Sequence, residues 1–151
     1  MRDFSDSQLT IRLPDYLRPV RGEGRRRWNS SKAYLFSGKR KGVVGSFKEY
    51  LCIEFDIPEE GIRAIRSEIE TTPVISLPGS VRRVIRRGEL PHFEDGVEIV
   101  VETENLQVCL VELDALFCKD GRFIHVKIMS FGSFAENEMT WREFLGSISL
   151  K

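Results

Sequence analysis

Val97-Glu98-Ile99-Val100-Val101-Glu102, Leu106-Gln107-Val108-Cys109-Leu110-Val111-Glu112-Leu113 and Arg122-Phe123-Ile124-His125-Val126-Lys127-Ile128-Met129 decide the fold. Each run is short, rich in β-branched or aromatic residues, and bounded by breakers, so the three read as consecutive strands. Glu104-Asn105 separates the first pair and Lys119-Asp120-Gly121 the second. Asp-Gly tolerates the positive φ that a two-residue hairpin requires, so the segment reads as an antiparallel meander.

Outward from that meander, Gln8-Leu9-Thr10-Ile11-Arg12-Leu13 alternates before Pro14 and predicts a short edge strand. Residues 18–31 carry Pro19, Gly22, Gly24, three consecutive arginines and Trp28 without a periodic apolar face, and read as a mobile basic loop. Lys32-Ala33-Tyr34-Leu35-Phe36 predicts a strand and residues 38–42 a basic turn. Residues 46–56 support two readings. Ser46-Phe47-Lys48-Glu49 has the form of a capping box, but Leu51, Ile53, Phe55 and Ile57 alternate against Cys52, Glu54 and Asp56, which favours a strand. Asp56 then caps a helix over 58–70, with Ile62, Ile65 and Ile69 on one face. Residues 72–77 predict a strand, 79–87 a helix lined by Val81, Val84 and Ile85 and ended by Gly88, and 134–148 a C-terminal helix with Trp141, Phe144, Leu145 and Ile148 as its stripe. A second capping-box pattern at Thr140-Trp141-Arg142-Glu143 leaves the start of that last helix open. The fold class is α+β: an antiparallel sheet of about five to seven strands with two or three helices packed on one face.

The 151 residues, 41% of them hydrophobic, are enough for one core, and the reading is a single domain over 1–151. No apolar run approaches a membrane span, and Met1-Arg2-Asp3-Phe4-Ser5-Asp6 lacks the apolar centre of a secretory signal. Cys52, Cys109 and Cys118 are an odd set without CxxC spacing, which fits neither a disulfide framework nor a zinc site and suggests a reducing cytoplasm. No membrane contact and no cofactor is expected, and the sequence leaves the oligomeric state open.

The net charge of zero conceals a gradient: residues 1–48 hold 12 basic against 4 acidic side chains, 49–91 hold 6 against 8, and 92–151 hold 5 against 11. Such segregation suits a charged partner on one face. Glu94, Asp95, Glu98, Glu102, Glu112 and Asp114, with Glu104 and Asp120, form an acidic group suited to a basic protein partner. Arg25, Arg26, Arg27, Trp28, Lys39, Arg40 and Lys41, flanked by Arg21, Lys32 and Tyr34, combine cations for phosphates with rings for bases, and define a nucleic-acid-binding alternative. A solvated loop balanced by the acidic sheet is its bland counterpart.

Two weaker patterns carry chemistry by resemblance. Residues 75–83, with Pro78 and Gly79, followed by 93–101, with Asp95 and Gly96, are loosely similar to the AbrB-type swapped-hairpin DNA-binding unit over fewer than 30 residues. That likeness implies a helix carrying Arg82 and Arg83 toward DNA, although residues 89–92 stand where the family has a tight turn. Glu112 and Asp114 on one strand with His125 and Lys127 on the next resemble a degenerate metal-dependent nuclease arrangement, with His125 in a position usually held by a carboxylate. A cross-strand charge ladder is the simpler account of the four. The sequence thus favours a non-catalytic cytoplasmic binding protein acting by protein contact, of the immunity, antitoxin or chaperoning kind. Nucleic-acid binding and a nuclease-like enzyme using Asp114 and Lys127 are the alternatives.

Overall fold

The computed structural model describes residues 1–20, 30, 32–41, 48–106 and 108–151. Among them, β1 (Arg2–Ser5), β2 (Leu9–Leu13), β3 (Arg18–Pro19), β4 (Lys32–Gly38) and β5 (Glu49–Phe55) precede helix α1 (Glu59–Thr71). Strands β6 (Ser80–Glu89), β7 (Glu94–Asn105), β8 (Cys109–Lys119) and β9 (Arg122–Phe131) follow, then helix α2 (Phe134–Ser147) and β10 (Ser149–Leu150). Seven strands form one antiparallel sheet in the order β3-β4-β5-β9-β8-β7-β6, and β1-β2-β10 form a second. The α+β class with a large antiparallel sheet is as the sequence predicts.

The meander β7-β8-β9 is the centre of the large sheet. Asp120 and Gly121 both have positive φ, 53° and 76°, between the paired residues Lys119 and Arg122, so the hairpin turns in two residues. β8 starts three residues later than the predicted run and continues through Asp114-Ala115-Leu116-Phe117-Cys118. Strand periodicity sorts the core into two layers. Val100, Val111, Leu113, Ala115, Phe117, Val126 and Ile128 face a core shared with β2, Trp141, Phe144 and Leu145, whereas Val97, Ile99, Val101 and Leu116 face Ile65 and Ile69 of α1. Each helix therefore covers its own face of the sheet, which corrects the expectation that the helices pack on one face: alternation gives β7 and β8 an apolar set on each side.

Residues 49–55 are strand, resolving the ambiguity there, because β5 is inserted between β4 and β9 and its alternate residues Leu51, Ile53 and Phe55 are fully buried. The predicted helix at 58–70 and the C-terminal helix both form. Ser133 caps the latter, its hydroxyl accepting from the Glu136 N–H at 3.2 Å, which places the start ahead of the Thr140 pattern.

Four local expectations are corrected. Residues 79–87 form β6, not a helix. Gly79 (φ 82°) sits in a turn closed by Ser80 N–H to Leu77 O, and the next ten residues pair with β7 from Ser80 opposite Asn105 to Glu89 opposite Val97. A register shift between Val84 and Arg86 adds a residue, so the apolar positions mimic helical spacing on what is a bulged strand. The AbrB-type likeness fails with it, since the helix it requires is absent. Residues 72–77 are not strand. Residues 9–13 are the middle strand of the small sheet, not an edge, because β1 and β10 flank them. Asp56 does not cap α1; it accepts from Arg122 and Lys32 instead.

Of the predicted loop at 18–31, Arg18 and Pro19 pair with β4 and the Ser30 hydroxyl donates to Phe55 O. Residues 21–29 and 31, and the possible capping residues Ser46 and Phe47, lie outside the described residues.

Candidate functional site

Register brings the four nuclease-like candidates together on the α1 side of the sheet. Asp114 pairs with Lys127 across β8 and β9, Glu112 lies two residues along, and β5 on the far side sets Cys52 opposite Lys127 and Glu54 opposite His125. α1 packs over β6, β7 and β8, so β9, β5 and β4 continue the same face beyond it. A cleft of about 220 Å³ opens where helix cover ends, with Ile69, Ile99 and Val101 on its apolar side and Tyr50, Arg82, Glu112, Asp114 and Lys127 on its polar side.

His125 is the centre of this constellation. It is 7% exposed, and its Nδ1 and Nε2 lie 2.7 Å from Glu54 Oε1 and 2.6 Å from Asp114 Oδ1. Burial opposes a charge on the ring, but hydrogen bonds to Asp114 and Glu54, reinforced by their negative charges, outweigh it and push the pKa up to about 9. His125 is therefore an imidazolium at neutral pH, with both ring nitrogens donating. It joins three adjacent strands, β5, β9 and β8, through side chains alone.

That geometry limits the chemistry. A general base must be unprotonated near the working pH and within reach of a substrate proton, and His125 is neither. Both ring nitrogens are already engaged by carboxylates, Nδ1 by Glu54 and Nε2 by Asp114, so neither is turned toward open space. Asp114 already accepts from His125, with Lys127 Nζ 3.8 Å from its other oxygen. Among the described residues no group of three or more His, Cys, Asp or Glu side chains is placed to hold a metal ion. Cys52 has its thiol pushed up to about 11, mainly by burial, which keeps it protonated and poorly nucleophilic. Sequence reasoning missed Glu54. Its signal was only that it is a polar member of an alternating strand, and its role depends on β5 pairing with β9 some seventy residues on.

The acidic group does not form one surface. Glu98 and Glu102 are buried on the α2 side, Glu98 meeting Arg86 and Arg142 and Glu102 accepting from the Phe134 N–H at 2.8 Å and from Arg83. Glu112 and Asp114 are on the opposite face, while Glu94 and Asp95 are exposed at the start of β7. Alternation along β7 and β8 divides residues that look contiguous in sequence.

The nucleic-acid candidates are divided too. Arg25, Arg26, Arg27 and Trp28 lie outside the described residues. Lys39 and Lys41 are exposed. Arg40 turns inward: it donates to both Glu49 oxygens at 3.0 and 2.7 Å and to Asn137 at 2.9 Å, and lies over the Tyr16 ring. Glu49 is 2% exposed, so Arg40 is its counter-ion within the fold. The linear charge gradient thus folds back on itself in part, with Lys32 on Asp56, Arg40 on Glu49, and the C-terminal acids Glu98, Glu102, Glu104, Glu112 and Glu138 on arginines of β6.

β6 itself is the other candidate region. It ends the large sheet and is ten residues long, and Val81, Val84 and Ile85 are 55%, 44% and 38% exposed. The segment before it adds Ile75 and Leu77 at 66% and 67%, held alongside because the Ser76 hydroxyl accepts from the Arg82 N–H at 2.9 Å. Read as a helix, Val81, Val84 and Ile85 belonged to a core; on a bulged edge strand they are exposed, Val81 and Val84 on opposite faces of the sheet.

No protein-family model matches the chain, and no curated protein matches it. Among solved structures it is similar to the Ran-binding protein Mog1p of Saccharomyces cerevisiae, at 10% identity and a TM-score of 0.49 over 94% of this chain and 89% of that one. It is also similar to a Pseudomonas aeruginosa protein of unknown function described as a putative regulator, at 10% identity and a TM-score of 0.38 over 84% of this chain and 92% of that one. At that distance neither likeness says what this chain does.

Proposed function

We propose that the protein is a non-catalytic binding protein that acts by protein contact, in the manner of a neutralising or chaperoning partner. One observation supports this reading: the large apolar side chains Val81, Val84 and Ile85 of the last strand of the sheet, and Ile75 and Leu77 of the segment beside it, are exposed. Scattered exposed apolar residues are ordinary, but a rimmed group of them is the usual mark of an interaction surface. The residue types that suggest catalysis point the same way, since His125, Asp114 and Glu54 are engaged with one another. Among the described residues no helix is long and apolar enough to cross a membrane, and the three cysteines are unlinked, which suits a reducing, cytoplasmic setting.

The test is crosslinking in cells followed by co-purification, comparing the natural chain with a Leu77→Lys, Val84→Lys double variant. The reading predicts a protein partner captured by the first and lost by the second, with an unchanged circular dichroism spectrum. Capture of no protein, together with metal-dependent turnover of nucleic acid that vanishes in Asp114→Ala or Lys127→Ala, would replace it with the enzyme alternative.

A further inference from the structure

We propose that residues 72–78 form a guard strap that closes the end of the large sheet and keeps it from pairing with a second copy of this chain. The inference goes beyond the protein-binding reading and needs no outside partner. β6 is the last strand of the sheet and is ten residues long. An edge of that length presents main-chain groups that a like strand can pair with, and covering it with a loop is one way such pairing is prevented. The cover comes from the segment joining α1 to β6. Gly79 turns the chain at φ 82°, the Ser80 N–H donates to Leu77 O, and the residues before the turn lie along the outer side of β6.

Side chains make the cover. The Ser76 hydroxyl accepts from the Arg82 N–H at 2.9 Å and donates to Arg82 O at 3.5 Å, so one hydroxyl engages both groups that would enter a ladder. Further along, the Arg87 guanidinium donates to Thr72 O. Residues 72–77 are not strand, and Pro73 and Pro78 have no N–H, so the segment shields the edge without becoming a new one. Its start is fastened to α1, where the Thr72 N–H donates to Glu68 O and Val74 packs against the cluster of Ile65 and Ile69. Its middle is not buried: Ile75 and Leu77 are 66% and 67% exposed, which leaves the grip on β6 to Ser76 and Arg87. A second copy is the occupant excluded, because an edge meeting itself across a two-fold is self-complementary in its main chain. Charge does little to forbid that meeting. Arg82, Arg83 and Arg86 are matched within their own chain by Glu112, by Glu102 and Glu104, and by Glu98 and Glu138.

The test uses the purified full chain. Ser76 and Arg87 are exposed, so replacing them leaves the core untouched, and circular dichroism checks that it does. Ser76→Ala should speed hydrogen exchange at the Arg82 amide about tenfold, whereas Ser76→Thr, which keeps the hydroxyl, should not. In sedimentation velocity a Ser76→Ala, Arg87→Gln variant should form a concentration-dependent dimer that the natural chain does not form. Adding Val84→Lys should abolish that dimer, because an edge lysine blocks strand pairing. Unchanged exchange at Arg82 in Ser76→Ala overturns the proposal, since the strap is then held by something else. So does a double variant that stays monomeric, or a dimer that survives Val84→Lys. Natural chain that already dimerises through β6 overturns it equally.

Discussion

In the Glu54–His125–Asp114 row the two hydrogen bonds are 2.7 and 2.6 Å long and the imidazole is 8% exposed, whereas along β6 the arginine–carboxylate contacts stretch from 3.4 to 3.9 Å. Both regions gather charge on neighbouring strands of one sheet. In the first, three strands bring the charges together, His125 and Glu54 are buried, and each group's partner is another part of the fold. In the second, the sheet stops and the same residue types are left partly solvated among exposed valines and isoleucines. The difference teaches that residue type is a poor guide to placement in this molecule. The chemically suggestive residues bond one another within the fold, and the apolar ones of β6 stay exposed.

The comparison breaks most readily at the row. His125→Leu takes the cation from between Glu54 and Asp114, and with Glu54 5% exposed the loss should be about 3–5 kcal/mol by denaturant titration. An unchanged midpoint would mean that the row fastens nothing. Arg40→Ala probes the same principle at Glu49, 2% exposed, and should cost about 3 kcal/mol. Its nucleic-acid affinity, if measured, should not be the quantity that moves most.

A milder perturbation uses pH. Folded His125 holds its proton up to about pH 9, above the ordinary histidine value of 6.5. Its contribution is therefore complete below about pH 6.5 and is lost as pH rises through about 9, on the order of 3 kcal/mol. Chemical denaturation at a series of pH values should show that decline, and His125→Leu should abolish it. Asp56 behaves in the opposite sense. Hydrogen bonds from Arg122 and Lys32 lower its carboxyl to about 2, so its contribution is present above the ordinary carboxylate range and is lost as pH falls through about 2. Asp56→Asn should cost about 1 kcal/mol, since Lys32 is 44% exposed and screened. The smallest effect belongs to β6: Val84→Lys should change stability by no more than about 0.5 kcal/mol, because Val84 faces solvent. A large loss there would make Val84 part of the core and erase the contrast.

The meander was legible because its information is local: β-branched runs and an Asp-Gly turn state both the strands and their pairing. α1 and α2 were legible for the same reason, through Ile65 and Ile69 and through Trp141, Phe144 and Leu145. β6 was not, because a bulge near Ile85 shifts the alternation by one residue and imitates helical spacing, and because its pairing with β7 becomes visible only with the sheet in place. For the site, the cross-strand proximity of Asp114, His125 and Lys127 followed from the hairpin register. Their chemical state did not, since Glu54 arrives from β5 and converts a possible ligand into a buried cation. The acidic group misled for a related reason: Glu98 and Glu102 sit one alternation away from Ile99 and Val101 and point to the other face, toward Arg86, Arg142 and the start of α2.

The most direct measurement is a long-range proton–nitrogen NMR titration of the His125 ring. The account predicts both ring nitrogens protonated across neutral pH, with deprotonation only near pH 9, and no change on adding a divalent metal ion. A ring that is neutral at pH 7, or one that loses a proton to bind metal, would contradict it and return the Asp114, His125 and Lys127 group to catalysis.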